Sequence, residues 1–197
     1  MKRSQSRIYK QLKYSEAMQQ AHKSSMESKI IEDMGHSLSF LVLGVLEGKM
    51  DEFAFKTQKL NNFYQFVQAE KYGWLEDKYD THILITEAKG SRSHVYEACC
   101  KVPYSQLLRL AEVSPKKITK NPNLYACLQC GYCIVGVWTD RVLEQHYRMS
   151  KARRAEFFAI LNDWIDSYWR GYLSNEGIRE MFIEDIGWDL TTGEKVC

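Results

Sequence analysis

The stretch ACLQCGYC places Cys127, Cys130 and Cys133 at even three-residue steps. Thiolates at such short spacing ligate zinc or iron–sulfur clusters, and a close pair of them can also act in thiol–disulfide exchange. A structural metal site needs four ligands, and the sequence contains no second Cys-x2-Cys pair. The candidates for a fourth ligand are scattered single residues: Cys99, Cys100, His94 and His146.

A helical interpretation explains the same spacing without a metal. On an α-helix, Cys127, Cys130 and Cys133 lie within about 100° of one another, and Ile134 and Val137 extend that face. Free cysteine is commonly buried as a small apolar residue. We therefore interpret the three cysteines as one side of a core helix, with metal ligation and redox chemistry as alternatives, and we expect no cofactor.

Other signatures of chemistry are weak. The five histidines form no His-Glu-x-x-His arrangement, and the chain has neither a phosphate-binding P-loop nor a Gly-x-Gly-x-x-Gly run. Acidic pairs such as Asp163 and Asp166 are typical of the solvated side of a helix. The sequence therefore predicts a protein that is not an enzyme.

Composition narrows the class of protein further. The chain has 197 residues, of which 45% are hydrophobic and 26% are charged, as in soluble globular domains. A net charge of +2 gives no global field for nucleic acid. The longest apolar run, from Leu38 to Leu46, is much shorter than the ~20 residues of a membrane span. We expect a cytoplasmic protein with reduced cysteines and no membrane partner.

Local clusters of basic residues are the better functional lead, since clustered cations contact phosphates or acidic protein surfaces. They occupy four places that the predicted elements would have to bring together. The candidate binding residues are Arg7, Lys10 and Lys13 in an N-terminal arm, Lys89 and Arg92 at a predicted turn, Lys116, Lys117 and Lys120 in a loop, and Lys151, Arg153 and Arg154 at a helix start.

The elements that position these residues are predicted to be mainly α-helical, in an α+β arrangement of two helical-hairpin units with an inserted β-hairpin. Residues 1–24 form a basic helical arm, residues 25–113 a helical unit, and residues 124–197 a second helical unit. The alternation in THILITEAKGSRSHVYEACCKV predicts the hairpin over about 81–102, inside the first unit. Ser150 is the predicted N-cap of the helix before last, and Ser174 or Asn175 that of the last helix.

The two helical units align with each other. The segment Phe53 to Val67 lies over Tyr147 to Leu161 without a gap, so that Phe63 and Phe157 coincide. Each segment follows an apolar helix that ends in Val-Leu-Glu, at Val45–Glu47 and Val142–Glu144. This pattern favours an internal repeat, although any two amphipathic helices share some of it.

The last quarter of the chain resembles a family. The run from Val142 to Leu190 is similar to small uncharacterised helical proteins of phages and mobile elements of Gram-positive bacteria, which pair an apolar helix with a basic turn and a terminal helix. Here Ser150 to Arg153 stands at the basic turn and Gly177 to Glu180 in the later element, while the glycine of the family's basic turn is missing. The resemblance implies a mobile-element origin.

Two functions are compatible with these features. The first is a non-enzymatic protein-binding module of a phage or mobile element, acting as an inhibitor of a host defence nuclease complex of the anti-CRISPR type, with a host protein or nucleoprotein complex as its partner. The alternative is a nucleic-acid-binding regulator that uses the basic arm, the hairpin tip and the loop at 116–120. The high aromatic content, with 5 Trp, 12 Tyr and 8 Phe, favours the first.

Overall fold

The computed structural model describes residues 29–47, 53, 55–75, 81–112, 124–189 and 194–195, and these are mainly helical, which confirms the predicted mainly α class. The helices in these ranges are α1 (29–47), α2 (Thr57–Leu75), α3 (Thr81–Lys89), α4 (Ser93–Lys101), α5 (Tyr104–Leu110), α6 (Leu124–Gln145), α7 (Lys151–Trp169) and α8 (Asn175–Ile186). Strands β1 (Trp188–Asp189) and β2 (Glu194–Lys195) pair antiparallel. None of these helices is both long and apolar enough to cross a membrane.

The predicted β-hairpin over 81–102 is wrong, because these residues form helices α3 and α4 joined by a turn. In α3 the side chains packed in the core are Leu84 and Ala88, four residues apart, whereas Ile83 is 55% exposed. The hydroxyl of Thr86 donates to the carbonyl of His82 at 2.8 Å, which satisfies that side chain within a helix. Packing of the i, i+4 face overrides the β-propensity of the Ile and Thr residues.

Helix α6 is the centre of the fold. Ten consecutive residues, from Gly131 to Asp140, are buried, and α6 contacts α2, α3, α4, α5 and α7. A helix that is covered on all sides needs small residues where its neighbours come closest. A Cβ on Gly131 would lie 3.0 Å from the sulfur of Met34 in α1, and a Cβ on Gly136 would lie 2.5 Å from Cγ1 of Val95 in α4. These two glycines let α1 and α4 approach the central helix.

The helix pairs α1–α2 and α6–α7 are built alike. Both α2 and α7 have 19 residues. In each pair, a backbone amide before the second helix donates to a carbonyl near the end of the first helix. In α1–α2 the amide of Phe55 donates to the carbonyl of Leu46, and in α6–α7 the amide of Met149 donates to the carbonyl of Leu143, both at 3.0 Å. The α7 start is capped by Ser150 and the α8 start by Ser174, as the sequence predicted.

Aromatic side chains of the two pairs contact each other reciprocally. Phe53, which precedes α2, packs on Phe157 of α7 with ring centroids 5.6 Å apart. Tyr147, which precedes α7, packs on Phe63 of α2 at 6.1 Å. The same shift of 94 residues converts Phe53 to Tyr147 and Phe63 to Phe157, so each contact has its counterpart in the other.

Candidate binding sites

A buried carboxylate, Asp140, lies in the C-terminal third of α6. Its side chain has no exposed surface, so its charge needs partners within the protein. Oδ1 accepts from Nε of Arg154 at 2.8 Å and lies 2.6 Å from Nε2 of His94, while Oδ2 accepts from Nη1 of Arg92. The carboxylate therefore ties α6 to α4, to α7 and to the turn between α3 and α4.

Glu144, one helical turn after Asp140, engages the same two arginines. Its carboxylate accepts from Nη2 of Arg92 at 2.7 Å and from Nη2 of Arg154 at 2.8 Å. The Glu144 side chain is 44% exposed, so this end of the cluster reaches solvent. Glu87 extends it on the other side, since its Oε1 accepts from Nε of Arg92 at 2.6 Å.

A third arginine connects this network to α2. Arg141 donates to Oε2 of Glu87 at 2.5 Å and to Oε2 of Glu70 at 2.9 Å. The cluster thus links α2, α3, α6 and α7 through charge-assisted hydrogen bonds. We call Glu70, Glu87, Arg92, His94, Asp140, Arg141, Glu144 and Arg154 the Asp140 cluster.

The surrounding charges favour the ionised form of two carboxylates of the Asp140 cluster, Asp140 and Glu87. Burial by itself would raise the pKa of Asp140, but the hydrogen bond from His94 and the charges of Arg92 and Arg154 outweigh it and lower that pKa below its ordinary value. Burial also acts to raise the pKa of Glu87, and the hydrogen bonds from Arg141 and Arg92 lower it overall. Both groups therefore bind protons more weakly in the folded state than in the unfolded state.

This difference predicts a pH dependence of stability. A carboxyl whose pKa is lowered by folding stabilises the fold above its unfolded pKa of about 4, and that contribution disappears as the pH falls through the folded value. We expect the free energy of unfolding, measured by urea titration, to fall as the pH is lowered below about 4. In Glu87→Gln the fall should be shallower because one linked carboxyl is gone, and a stability that rises on acidification would contradict the assignment.

His94 has a second ring nitrogen that the Asp140 cluster does not use. Because the Asp140 carboxylate only accepts hydrogen bonds, Nε2 of His94 carries the proton in that contact. In the neutral ring, Nδ1 then holds a lone pair, and no described group hydrogen-bonds to it. The ring is 7% exposed and lines a cleft of about 500 Å³ between α4, α5 and α7. The arrangement can accept a hydrogen bond from a group in that cleft.

At the end of α7, two large aromatic side chains face solvent. Trp169 is 46% exposed and Tyr172 is 78% exposed, with Arg170 between them. We call Trp169, Arg170 and Tyr172 the aromatic turn. Arg170 also forms an ion pair with Asp166 at 2.6 Å.

The backbone of the aromatic turn is fixed by a helix-terminating motif. Gly171 has a φ of +80°, its amide donates to the carbonyl of Tyr168 at 3.1 Å, and the amide of Tyr172 donates to Ser167 at 3.0 Å. Tyr168 is buried beneath, with the guanidinium of Arg109 over its ring at 5.6 Å. The exposed aromatics therefore stand on an ordered base.

The structure separates the basic residues that the sequence grouped as binding candidates. Arg92 and Arg154 come together, but both are buried against carboxylates of the Asp140 cluster. Exposed cations among the described candidates are Lys89, whose ammonium lies over Tyr96, Arg153, whose guanidinium lies over Phe53, and Lys151. The remaining candidates, Arg7, Lys10, Lys13, Lys116, Lys117 and Lys120, lie outside the described residues, as does the predicted arm at 1–24.

The three evenly spaced cysteines lie on α6, with Cys133 buried and Cys127 and Cys130 half-buried. The thiol of Cys99 in α4 donates to the carbonyl of Gln129 at 3.8 Å. The neighbouring Cys133 thiol, together with burial, raises the pKa of Cys99, whereas the Cys99 thiol lowers the pKa of Cys133. In the part of the chain that the structure describes, no three His, Cys, Asp or Glu side chains are placed to hold a metal ion. Here the cysteines pack between helices.

Sequence reasoning missed Asp140 as a site residue and named His94 only as a possible metal ligand. The available signal was Asp140 itself, an acid within the apolar run IVGVWTDRVL of a long helix. A carboxylate at the covered side of such a helix must have charged or hydrogen-bonding partners. Two of the partners, His94 and Arg92, lie 46 and 48 residues away in sequence, so no local pattern identifies them.

Comparison of the chain with protein-family models, curated proteins and solved structures finds no match. The function is therefore argued from the geometry of the aromatic turn, the Asp140 cluster and the cleft.

Proposed function

We propose that the chain is a non-enzymatic protein-binding module of a phage or mobile element of Gram-positive bacteria, and that it inhibits a host defence nuclease complex in the cytoplasm. The observation that supports this proposal is the aromatic turn. Trp, Tyr and Arg are the residues most enriched at the energetic centres of protein interfaces, and here the three stand together on the surface.

The fixed backbone conformation of the aromatic turn favours binding. Association costs free energy when loops and side chains must be immobilised. The hydrogen bonds of the Tyr172 and Gly171 amides hold the backbone before a partner arrives. A preformed pair of aromatic anchors therefore retains more of its contact energy as affinity.

The burial of Arg92 and Arg154 favours a protein partner over the alternative, nucleic acid. To contact a phosphate, either guanidinium would have to leave Asp140, which would deprive a buried carboxylate of one of its charge partners. Lys89, Lys151 and Arg153 remain exposed but lie on different elements, at the α3 end and the α7 start. Nucleic-acid binding thus loses two of its candidate cations.

The test is affinity capture from lysate of a Gram-positive host, run side by side with and without nuclease treatment. We expect the same stoichiometric partner under both conditions, and we expect that partner to be a subunit of a DNA-cleaving complex whose cleavage is lowered when the chain is added. Recovery of nucleic acid alone, with loss of all bound protein after nuclease treatment, would overturn the proposal.

Variants locate the binding surface. Replacing Trp169 and Tyr172 together by alanine should weaken the affinity by about 30-fold or more, the equivalent of the ~2 kcal/mol of an interface hot spot. Tyr72→Ala is the matched control, because Tyr72 is a 62% exposed aromatic on α2. Equal affinities of the double variant and the control, measured by calorimetry with the recovered partner, would exclude the aromatic turn as the interface.

A further inference from the structure

The cleft beside His94 is lined by groups with unsatisfied hydrogen-bonding capacity. It has a volume of about 500 Å³, within the range of small-molecule sites. Its apolar lining comes from Ala98, Val102 and Pro103 at the end of α4 and from Ala155 and Ala159 of α7. Its polar lining includes His94, Glu97 and Asp163.

Two of the polar groups in this cleft are already engaged. Nδ2 of Asn162 donates to the carbonyl of Ala98 at 3.0 Å, and its Oδ1 accepts from the hydroxyl of Tyr132 at 2.9 Å. Nε2 of Gln106 donates to Oδ1 of Asp166 at 2.8 Å. The amides thus hold the walls in place and leave few donors for a ligand.

The groups that remain are mostly acceptors. Nδ1 of His94 lacks a hydrogen-bond partner among the described residues although the ring is more than nine-tenths buried. The carboxylates of Glu97 and Asp163 form no ion pair within the described ranges. Opposed to them is one lining cation, Lys101, while Arg170 pairs with Asp166. A ligand that satisfies this set must donate hydrogen bonds and carry positive charge.

We propose that this cleft binds a primary alkylammonium group, with Nδ1 of His94 accepting one N–H and with Glu97 and Asp163 supplying the opposite charge. An ammonium has three donors and no acceptor, which matches the unsatisfied groups, and an alkyl chain fits the alanine lining. The same chemistry is offered by a free amine and by a lysine side chain of a polypeptide. The cleft is separate from the two exposed aromatic side chains of the aromatic turn, because neither Trp169 nor Tyr172 lines it.

Calorimetry and NMR of the ¹⁵N-histidine-labelled chain test the proposal, with n-butylammonium as the probe and butan-1-ol as its uncharged counterpart. We expect saturable one-to-one binding of n-butylammonium in the millimolar range, a shift of the His94 Nδ1 resonance, and no binding of butan-1-ol. Nα-acetyl-lysine-N-methylamide, which keeps its side-chain ammonium, and spermidine are titrated in parallel. Tighter binding of the lysine compound indicates a polypeptide source, and tighter binding of spermidine indicates a free amine.

Charge variants on exposed positions keep the test independent of folding. Glu97→Gln combined with Asp163→Asn should weaken n-butylammonium binding by about tenfold, Lys101→Gln should strengthen it, and Glu184→Gln on α8 should leave it unchanged. Equal responses to the amine and the alcohol, an unmoved His94 resonance at saturation, or an unchanged affinity in the double variant would each overturn the site.

Discussion

Replacement of Asp140 by alanine should lower the free energy of unfolding by about 3–5 kcal/mol, the usual cost of removing one partner from a buried ion pair. Without the carboxylate, the guanidinium groups of Arg92 and Arg154 and the ring of His94 lose their shared acceptor while remaining buried. Glu144 would still pair with both arginines, but it lies at the solvent-exposed end of the cluster. Urea-induced unfolding followed by circular dichroism measures the effect.

A neighbouring carboxylate provides the control for Asp140. Glu144→Gln removes a charge from the same two arginines at a side chain that is 44% exposed, where an ion pair contributes at most about 1 kcal/mol. The double variant Asp140→Ala, Arg154→Ala should lose less stability than the sum of the single variants, because each single change leaves the other group unpaired. A loss below about 1 kcal/mol for Asp140→Ala, or strict additivity, would contradict the assignment.

The second large effect is expected in the aromatic packing between the two helix pairs. Phe157→Ala should destabilise the fold by about 3–5 kcal/mol, because the ring is fully buried and its removal leaves a cavity against Phe53 and Phe158. Phe63→Ala should have an effect of similar size, since Phe63 occupies the reciprocal contact with Tyr147. Differential scanning calorimetry of Phe157→Ala and Phe63→Ala measures the loss of stability in each variant.

A conservative variant and a surface variant are the controls for the predicted effect of Phe157→Ala. Phe157→Leu should cost markedly less than Phe157→Ala because most of the volume is kept. Tyr72→Ala should change the free energy of unfolding by less than about 0.5 kcal/mol, as is usual for an exposed position. A cost for Phe157→Ala that is no greater than that of Tyr72→Ala would show that the two helix pairs are not held together by these rings.

Local signals predicted the helices well where capping and periodicity agree. Ser150 accepts from the Arg153 amide at 3.3 Å and Ser174 from the Gly177 amide at 3.0 Å, both as expected from Ser before an apolar repeat. The run from Thr81 to Lys89 misled because its Ile and Thr residues favour strands in isolation. The buried side chains of Leu84 and Ala88 and the contact of α3 with α6 stabilise these residues as a helix, and this tertiary packing cannot be read from a local sequence pattern.

The binding residues were harder to predict than the fold. Arg92 and Arg154 are ordinary surface-type residues by composition, and their burial depends on a carboxylate in another element. The orphaned nitrogen of His94 likewise follows from a three-dimensional contact, since its position in the sequence has no motif around it. A sequence pattern can indicate charge, but it cannot show whether that charge is already compensated.

The reciprocal aromatic contacts have the pattern of a two-fold axis, as in an isologous dimer interface, here closed within one polypeptide. The Asp140 cluster breaks this symmetry. In the first helices of the two pairs, Leu143 corresponds to Leu46, and by the same shift of 97 residues Asp140 corresponds to Leu43. In the second helices, the shift of 94 residues makes Arg154 correspond to Leu60. Both leucines are buried. If the halves exchanged places, the Asp140 carboxylate would lose its contacts with Arg92 and His94. The Asp140 cluster therefore makes the α6–α7 pair the one against which α3 and α4 pack. Although the two pairs have similar contact surfaces, this selects one of the two possible arrangements.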